Sequence, residues 1–239
     1  MAQELQDIRT PIKPIDLLYA LGFAWVNLFN EQPKKESLVL LLAHNSLETG
    51  VGAPSCHNFN LTNIKSIDGD GRNYVFYKCN ELVKLDMARQ FVTNAFKDGG
   101  AAYISGVRSD GFAWVNFEPK SKYCRFRAFD TLEEGVIDYL MFIKNRYIKD
   151  PSVWQALIDG NPYKFCERLR ANGFFTADLS VYAGSVTRLY NQFLTLEYDP
   201  DKLPILSDVQ KENIQNLIGL TMNITSDDIV LDKSTDDQT

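Results

Sequence analysis

Apolar residues at Ile15, Leu17, Leu18, Leu21, Trp25, Leu28 and Phe29 recur at helical spacing behind Pro14, a residue the first turn of a helix accepts. A polar break from Glu31 to Lys35 contains Pro33, and a second helix is predicted from about Glu36 to Thr49. Its apolar positions run almost unbroken from Leu38 to Ala43 and return at Leu47, the pattern of a helix buried on all sides. Gly50 and Gly52 supply its stop. From Ala53 to Gly71 the chain is rich in Asn, Gly, Ser and Asp and reads as an ordered loop, with Asp68-Gly-Asp-Gly as a hairpin turn. Tyr74 to Val83 alternates and is aromatic, which predicts a strand. A short helix is expected over Leu85 to Phe96, and strands over Phe112 to Phe117 and Tyr123 to Phe129. Helical periodicity returns at Leu132 to Tyr147, Val153 to Ile158, Tyr163 to Ala171 and Leu179 to Leu196. Helices, then a small β-rich insert, then helices again predict a mainly α (α+β) fold in which a helical lobe and a β-rich lobe flank a cleft.

Residues 1–198 are read as the folded body and 199–239 as a C-terminal appendage. Pro200 and Pro204 break the pattern, a short helix is expected over Val209 to Leu220, and the polar, acidic end is expected to be disordered. Gly-Phe-Ala-Trp-Val-Asn occurs twice, at Gly22 to Asn27 in a helical pattern and at Gly111 to Asn116 among strand and turn residues. Without extended similarity around them, the two copies read as coincidence rather than duplication.

Charge narrows the partners. The net charge is −6, but Thr225 to Thr239 holds five Asp and one Lys, so the body is nearly neutral. That balance points away from nucleic acid and anionic membrane. No apolar run approaches the ~20 residues of a membrane span, and the polar start from Met1 to Lys13 does not resemble a secretory signal. Cys56, Cys79, Cys124 and Cys166 lie far apart, and His44 and His57 lack metal-ligand spacing, so no metal or cofactor is expected. Free thiols are the leading reading; a cross-strand Cys79–Cys124 disulfide is the alternative. Adjacent Cys56 and His57 make a poor peptidase pair, because chain neighbours rarely aim side chains at one another.

Glu48 stands out on local grounds. It lies in the last turn of the most hydrophobic helix, where the negative end of the helix dipole and partial burial both favour a protonated carboxyl. A glycosidase general acid needs that property. Just downstream, Asn58, Asn60 and Asn63 offer amides that suit sugar hydroxyl and N-acetyl groups, although Asx turns account for at least one of them.

Leu47-Glu-Thr-Gly-Val-Gly and the following Asn60-Leu-Thr-Asn-Ile-Lys65 resemble the L-E-T-G-x-G and N-x-x-N-x-K segments of glucosaminidase-type peptidoglycan hydrolases. Phe126-Arg-Ala-Phe129 is similar to that family's F-R-x-[YF] segment, and Gly173-Phe-Phe-Thr-Ala-Asp178 with Tyr182 to its Y-[YF]-T-A-D…Y segment. The resemblance implies a lysozyme-like fold, hydrolysis of β-1,4 bonds in bacterial peptidoglycan glycan strands, Glu48 as general acid and Tyr182 lining the sugar site. On that reading, removing the Tyr182 ring should weaken substrate use more than stability. Val51, where the family has an aromatic residue, and Phe174, where it more often has Tyr, depart from the pattern.

A second carboxylate is expected from the β-rich insert, with Glu81 favoured for its place after the Asn-rich loop and Glu118 second. Glu133 and Glu134 read as first-turn helix residues instead. A wall hydrolase without a signal is expected to be made in the cytoplasm and to reach the wall as a phage lysin, in a virion or as a delivered effector. The appendage would then be a docking point for a virion or delivery partner. The competing reading is a non-catalytic wall-binding or virion structural component that keeps the fold.

Overall fold

The computed structural model describes residues 2–50, 55–146, 150–175 and 177–203. The expected helix at Val209 to Leu220 and the acidic tail lie outside them.

Helix α1 (Pro14–Phe29) starts on the proline and stops at Asn30, which takes the left-handed conformation with φ 53°. Helix α2 (Lys35–Thr49) buries every residue from Ser37 to Ser46. It achieves this by packing against α1 on one side and against α5 (Pro151–Ile158) and α7 (Leu179–Phe193) on the others. α6 (Pro162–Ala171) joins α5 to α7, and α4 (Leu132–Arg146) lies on α1. Asp150, Asn161 and Asp178 cap α5, α6 and α7 with side-chain acceptors. Trp25 stacks on Trp154 with ring centroids 4.9 Å apart, which fastens α1 to α5.

Among the described residues the strands form three small antiparallel sheets: β1 (Arg9–Pro11) with β2 (Ser55–His57), β3 (Tyr74–Phe76) with β7 (Arg125–Arg127), and a three-stranded sheet. In the last, β6 (Phe112–Phe117) lies between β4 (Asn80–Lys84) and β5 (Ala102–Val107), and α3 (Leu85–Lys97) packs on the sheet. Val83, Ala88, Ala113, Val115, Phe117 and Cys124 give this lobe a core of its own, separate from that of the helical lobe. The observed class is mixed α and β, as the pattern predicts.

Three details depart from the sequence reading. Tyr74 to Val83 is two strands in different sheets, separated by Tyr77 to Cys79. β5 is additional: only Ala102 and Ile104 tuck in partly and the rest is exposed, so it has no alternating buried face to announce it. The polar start pairs as β1, with Glu4 bridging to Tyr74. Packing also continues past residue 198, since Leu203 rests on the main core.

The joint between the β3–β7 ladder and α4 is ionic. Asp70 turns inward from the Asp68 to Gly71 turn, and Arg72, Arg127 and Asp138 are buried with it. Asp138 on α4 accepts from Arg72 Nε at 2.8 Å and from Arg127 NH1 at 2.8 and 3.0 Å. Asp70 accepts from the Arg72 backbone at 3.0 Å and lies 3.5 Å from Arg127 Nε. Two guanidiniums and two carboxylates leave the cluster neutral, the condition under which buried charge is tolerated.

Candidate active site

The last turn of α2 carries Glu48 against α7. Its side chain is only 5% exposed. The Tyr182 hydroxyl of α7 donates to Oε1. His44, one turn back on the same helix face, brings Nε2 to 3.9 Å of that oxygen. His44 is fully enclosed, and burial lowers its pKa to about 3, so the ring is neutral. Its Nδ1 lies 2.8 Å from the Tyr139 hydroxyl, which donates to the Leu41 carbonyl at 3.4 Å. Burial and the Glu48 charge raise the Tyr182 pKa well above the ordinary tyrosine value, so its hydroxyl keeps the proton it donates. Cys166, beneath the carboxylate, is pushed up to about 12 by burial and then by Glu48. Glu48 is thus held by one donor, the Tyr182 hydroxyl, among groups that stay uncharged in the working pH range.

Tyr182 is not an exposed sugar platform. Its ring stacks on Phe175 at 3.7 Å and is buried, so it positions Glu48 from behind. The expectation that losing the ring spares stability is therefore corrected. Tyr182→Ala should cost about 3–5 kcal/mol through the cavity it leaves, whereas Tyr182→Phe should cost about 1 kcal/mol. Urea unfolding of the two variants checks this, and equal losses would show that the hydroxyl, not the ring, carries the stability.

The three asparagines divide. Asn58 accepts from the Ile8 amide at 3.0 Å and donates to the Gln6 carbonyl at 3.0 Å. Asn60 donates to the carbonyls of Ile64 and Arg127 and accepts from the Ile64 amide. Both are buried with their amides committed to backbone, so the turn-forming reading replaces the sugar-binding one. Asn63 is different: it donates to the Glu48 carbonyl at 3.3 Å and accepts from Tyr77 Oη at 2.9 Å, which ties the loop to the end of α2. Asn58, Phe59 and Asn63 all adopt positive φ, so this loop is tightly wound around its own amides.

Two residues on from Asn63, Lys65 brings Nζ to 3.9 Å of Glu81 Oε1. It also donates to the Tyr123 carbonyl and sits over the Phe126 ring. The loop that holds the backbone at Glu48 therefore also reaches the Glu81 carboxylate. Glu81 is buried on β4 in that ion pair, while Glu118 is exposed in the turn after β6. Glu133 and Glu134 occupy the first turn of α4, and Glu134 accepts from the Asp130 amide while donating its own N–H to Thr131 Oγ1.

Sequence reasoning passed over His44, although its position four residues before Glu48 on one helix was a usable signal. It also passed over the N-terminal partners of the loop. Asp7 Oδ1 lies 2.5 Å from His57 Nδ1, Arg9 reaches His57 Nε2 at 3.1 Å, and the His57 ring stacks on Tyr77, which stacks on Phe126. Contacts across about fifty residues leave no local trace. Among the described residues no group of three or more His, Cys, Asp or Glu is placed to hold a metal ion, and no helix is long and apolar enough to cross a membrane.

His44 gives a pH test. An unfolded histidine takes up its proton near 6.5, whereas His44 in the fold does so only near 3. The unfolded state therefore binds the extra proton throughout that window. The contribution is fully present above pH 6.5 and is lost as pH falls towards 3, by about 1.4 kcal/mol per pH unit at most. Urea unfolding at pH 7 and pH 4.5 should show a smaller acid loss for His44→Gln than for the unsubstituted chain. An unchanged pH dependence would mean that other groups control acid stability.

Comparison with family models, curated proteins and solved structures finds no match to this chain.

Proposed function

We propose that this chain is a peptidoglycan hydrolase of lysozyme-like type that cleaves β-1,4 bonds between N-acetylglucosamine and N-acetylmuramic acid, with Glu48 as general acid. The observation that carries the reading is the Glu48 carboxyl itself. It sits at the end of a buried helix, fixed by the Tyr182 hydroxyl and beside the neutral ring of His44. A carboxyl in so dry a place is suited to hand a proton to a glycosidic oxygen. Glu81 is the companion carboxylate in this proposal, because pairing with Lys65 suits a charged base or nucleophile rather than an acid.

One observation favours the second reading, a wall-binding or virion structural component that keeps the fold without the chemistry. Glu48 is almost closed off, and Asn58 and Asn60 offer nothing to a sugar. A turbidity-clearing assay on purified peptidoglycan, with mass spectrometry of released muropeptides, separates the two. Clearing with a new reducing-end sugar supports the hydrolase and names the bond; co-sedimentation with peptidoglycan without clearing supports the binder.

A further inference from the structure

The small lobe leaves and rejoins the rest of the chain at two cysteines. Cys79 lies between β3 and β4, and Cys124 ends the 3-10 turn (Lys122–Cys124) that leads into β7. β4, α3, β5 and β6 all fall between them. The β3–β7 ladder extends to this point, with the Tyr77 amide donating to the Cys124 carbonyl at 3.2 Å. The sulfurs are 3.7 Å apart, the Cys124 thiol directed at Cys79 Sγ and the Cys79 thiol donating to the Tyr123 carbonyl at 3.1 Å. Cys124 is fully buried in the lobe's core, whereas Cys79 is half-buried and touches two separate apolar clusters. Lys65 Nζ stands 3.7 Å from Cys79 Sγ.

We propose that Cys79 and Cys124 form a disulfide that closes the neck of the small lobe, made by exchange with a small-molecule disulfide when the chain leaves a reducing compartment. Cys79, the reachable sulfur, attacks the small disulfide as its thiolate, forms a mixed disulfide and releases one small thiolate, which takes up a proton. Cys124 then loses its proton to solvent, attacks the Cys79 sulfur and expels the second small thiolate. Two protein thiols are oxidised and one small disulfide is reduced to two thiols. Closing the bond brings sulfurs now 3.7 Å apart to about 2.05 Å. The neighbouring Cys124 thiol, and then burial, hold Cys79 protonated against the pull of Lys65, so exchange in the folded chain is slow and its equilibrium is the quantity to read. Cys56 and Cys166 are the contrast. Each is buried and its thiol pushed up, to about 11 beside Thr10 and about 12 beneath Glu48. This inference goes beyond the hydrolase reading and holds whether or not the chain cuts glycan.

The test uses the full chain, reduced and then equilibrated with equal amounts of oxidised and reduced glutathione. Acid quenching, alkylation, intact mass and peptide mapping follow. The expected result is loss of two of the four thiols, a mass lower by two hydrogens, and a single cross-linked peptide pair joining Cys79 to Cys124. The melting temperature should rise by roughly 5–15 °C, because the bond closes a long loop in the unfolded chain. Cys124→Ser should stop at a glutathione adduct on Cys79 with no such rise. Four thiols still alkylated at equilibrium, or a bond between any other pair, would overturn the pairing. A bonded chain that melts no higher than the reduced one would overturn the lock. The wild-type measurements decide both points even if the variant does not fold.

Discussion

Glu48→Gln should reduce clearing of purified peptidoglycan by roughly 10²–10⁴-fold or more, with the melting temperature nearly unchanged. The reason lies in the contacts around the side chain. A glutamine carbonyl oxygen still accepts from the Tyr182 hydroxyl, the volume is conserved, and α2 remains packed on all sides. What is lost is the transferable proton. If the folded variant clears the wall at a rate near that of the unsubstituted chain, Glu48 is not the acid. If the variant melts far lower, its role is to hold the end of α2. Measuring clearing and melting on one preparation keeps these outcomes apart.

The largest effect on stability is expected at Asp138. Asp138→Ala should cost about 3–5 kcal/mol, read from urea unfolding at neutral pH. Asp138 is the carboxylate shared by Arg72 and Arg127, and its removal leaves two buried guanidiniums with Asp70 as the remaining counter-charge. A double replacement of Asp138 and Arg127 by apolar residues should recover part of the loss, because it removes charge in a neutral pair. A loss below about 1 kcal/mol for Asp138→Ala would show that water reaches the cluster and that the joint between the β3–β7 ladder and α4 is not dry.

The helical half of this fold was legible because its elements carry their own start and stop signals. Pro14, Pro151 and Pro162 open helices, and Asn30 and Gly50 end them. The β half was less so. Tyr74 to Val83 alternates throughout, yet its middle passes from one sheet to another because Cys79 has two cores to satisfy. Gly135 had no visible purpose in a helical pattern. In the structure a Cβ there would run into the Phe59 carbonyl oxygen, so glycine is what lets α4 lie against the asparagine loop. At the site, Glu48 could be found from the end of one apolar helix. Tyr182 and Asn63 acquired their present roles only through contacts that chain spacing does not encode, whereas His44 could have been found from its i, i+4 place before Glu48, and Asn58 and Asn60 gave up the role that composition suggested.

The hexapeptide that occurs twice has two conformations. Gly22 to Asn27 lies inside α1 with Phe23, Ala24 and Trp25 buried together, whereas Gly111 to Asn116 turns into β6 and buries Ala113 and Val115 in alternation. The chain thereby contains its own calibration for hydrogen–deuterium exchange. Amides within the two copies share the same neighbouring side chains, so their chemical exchange rates match residue for residue. Any difference in deuterium uptake between Trp25 and Trp114, or between Val26 and Val115, measures the opening of a buried helix against that of a small sheet in one molecule under one set of conditions.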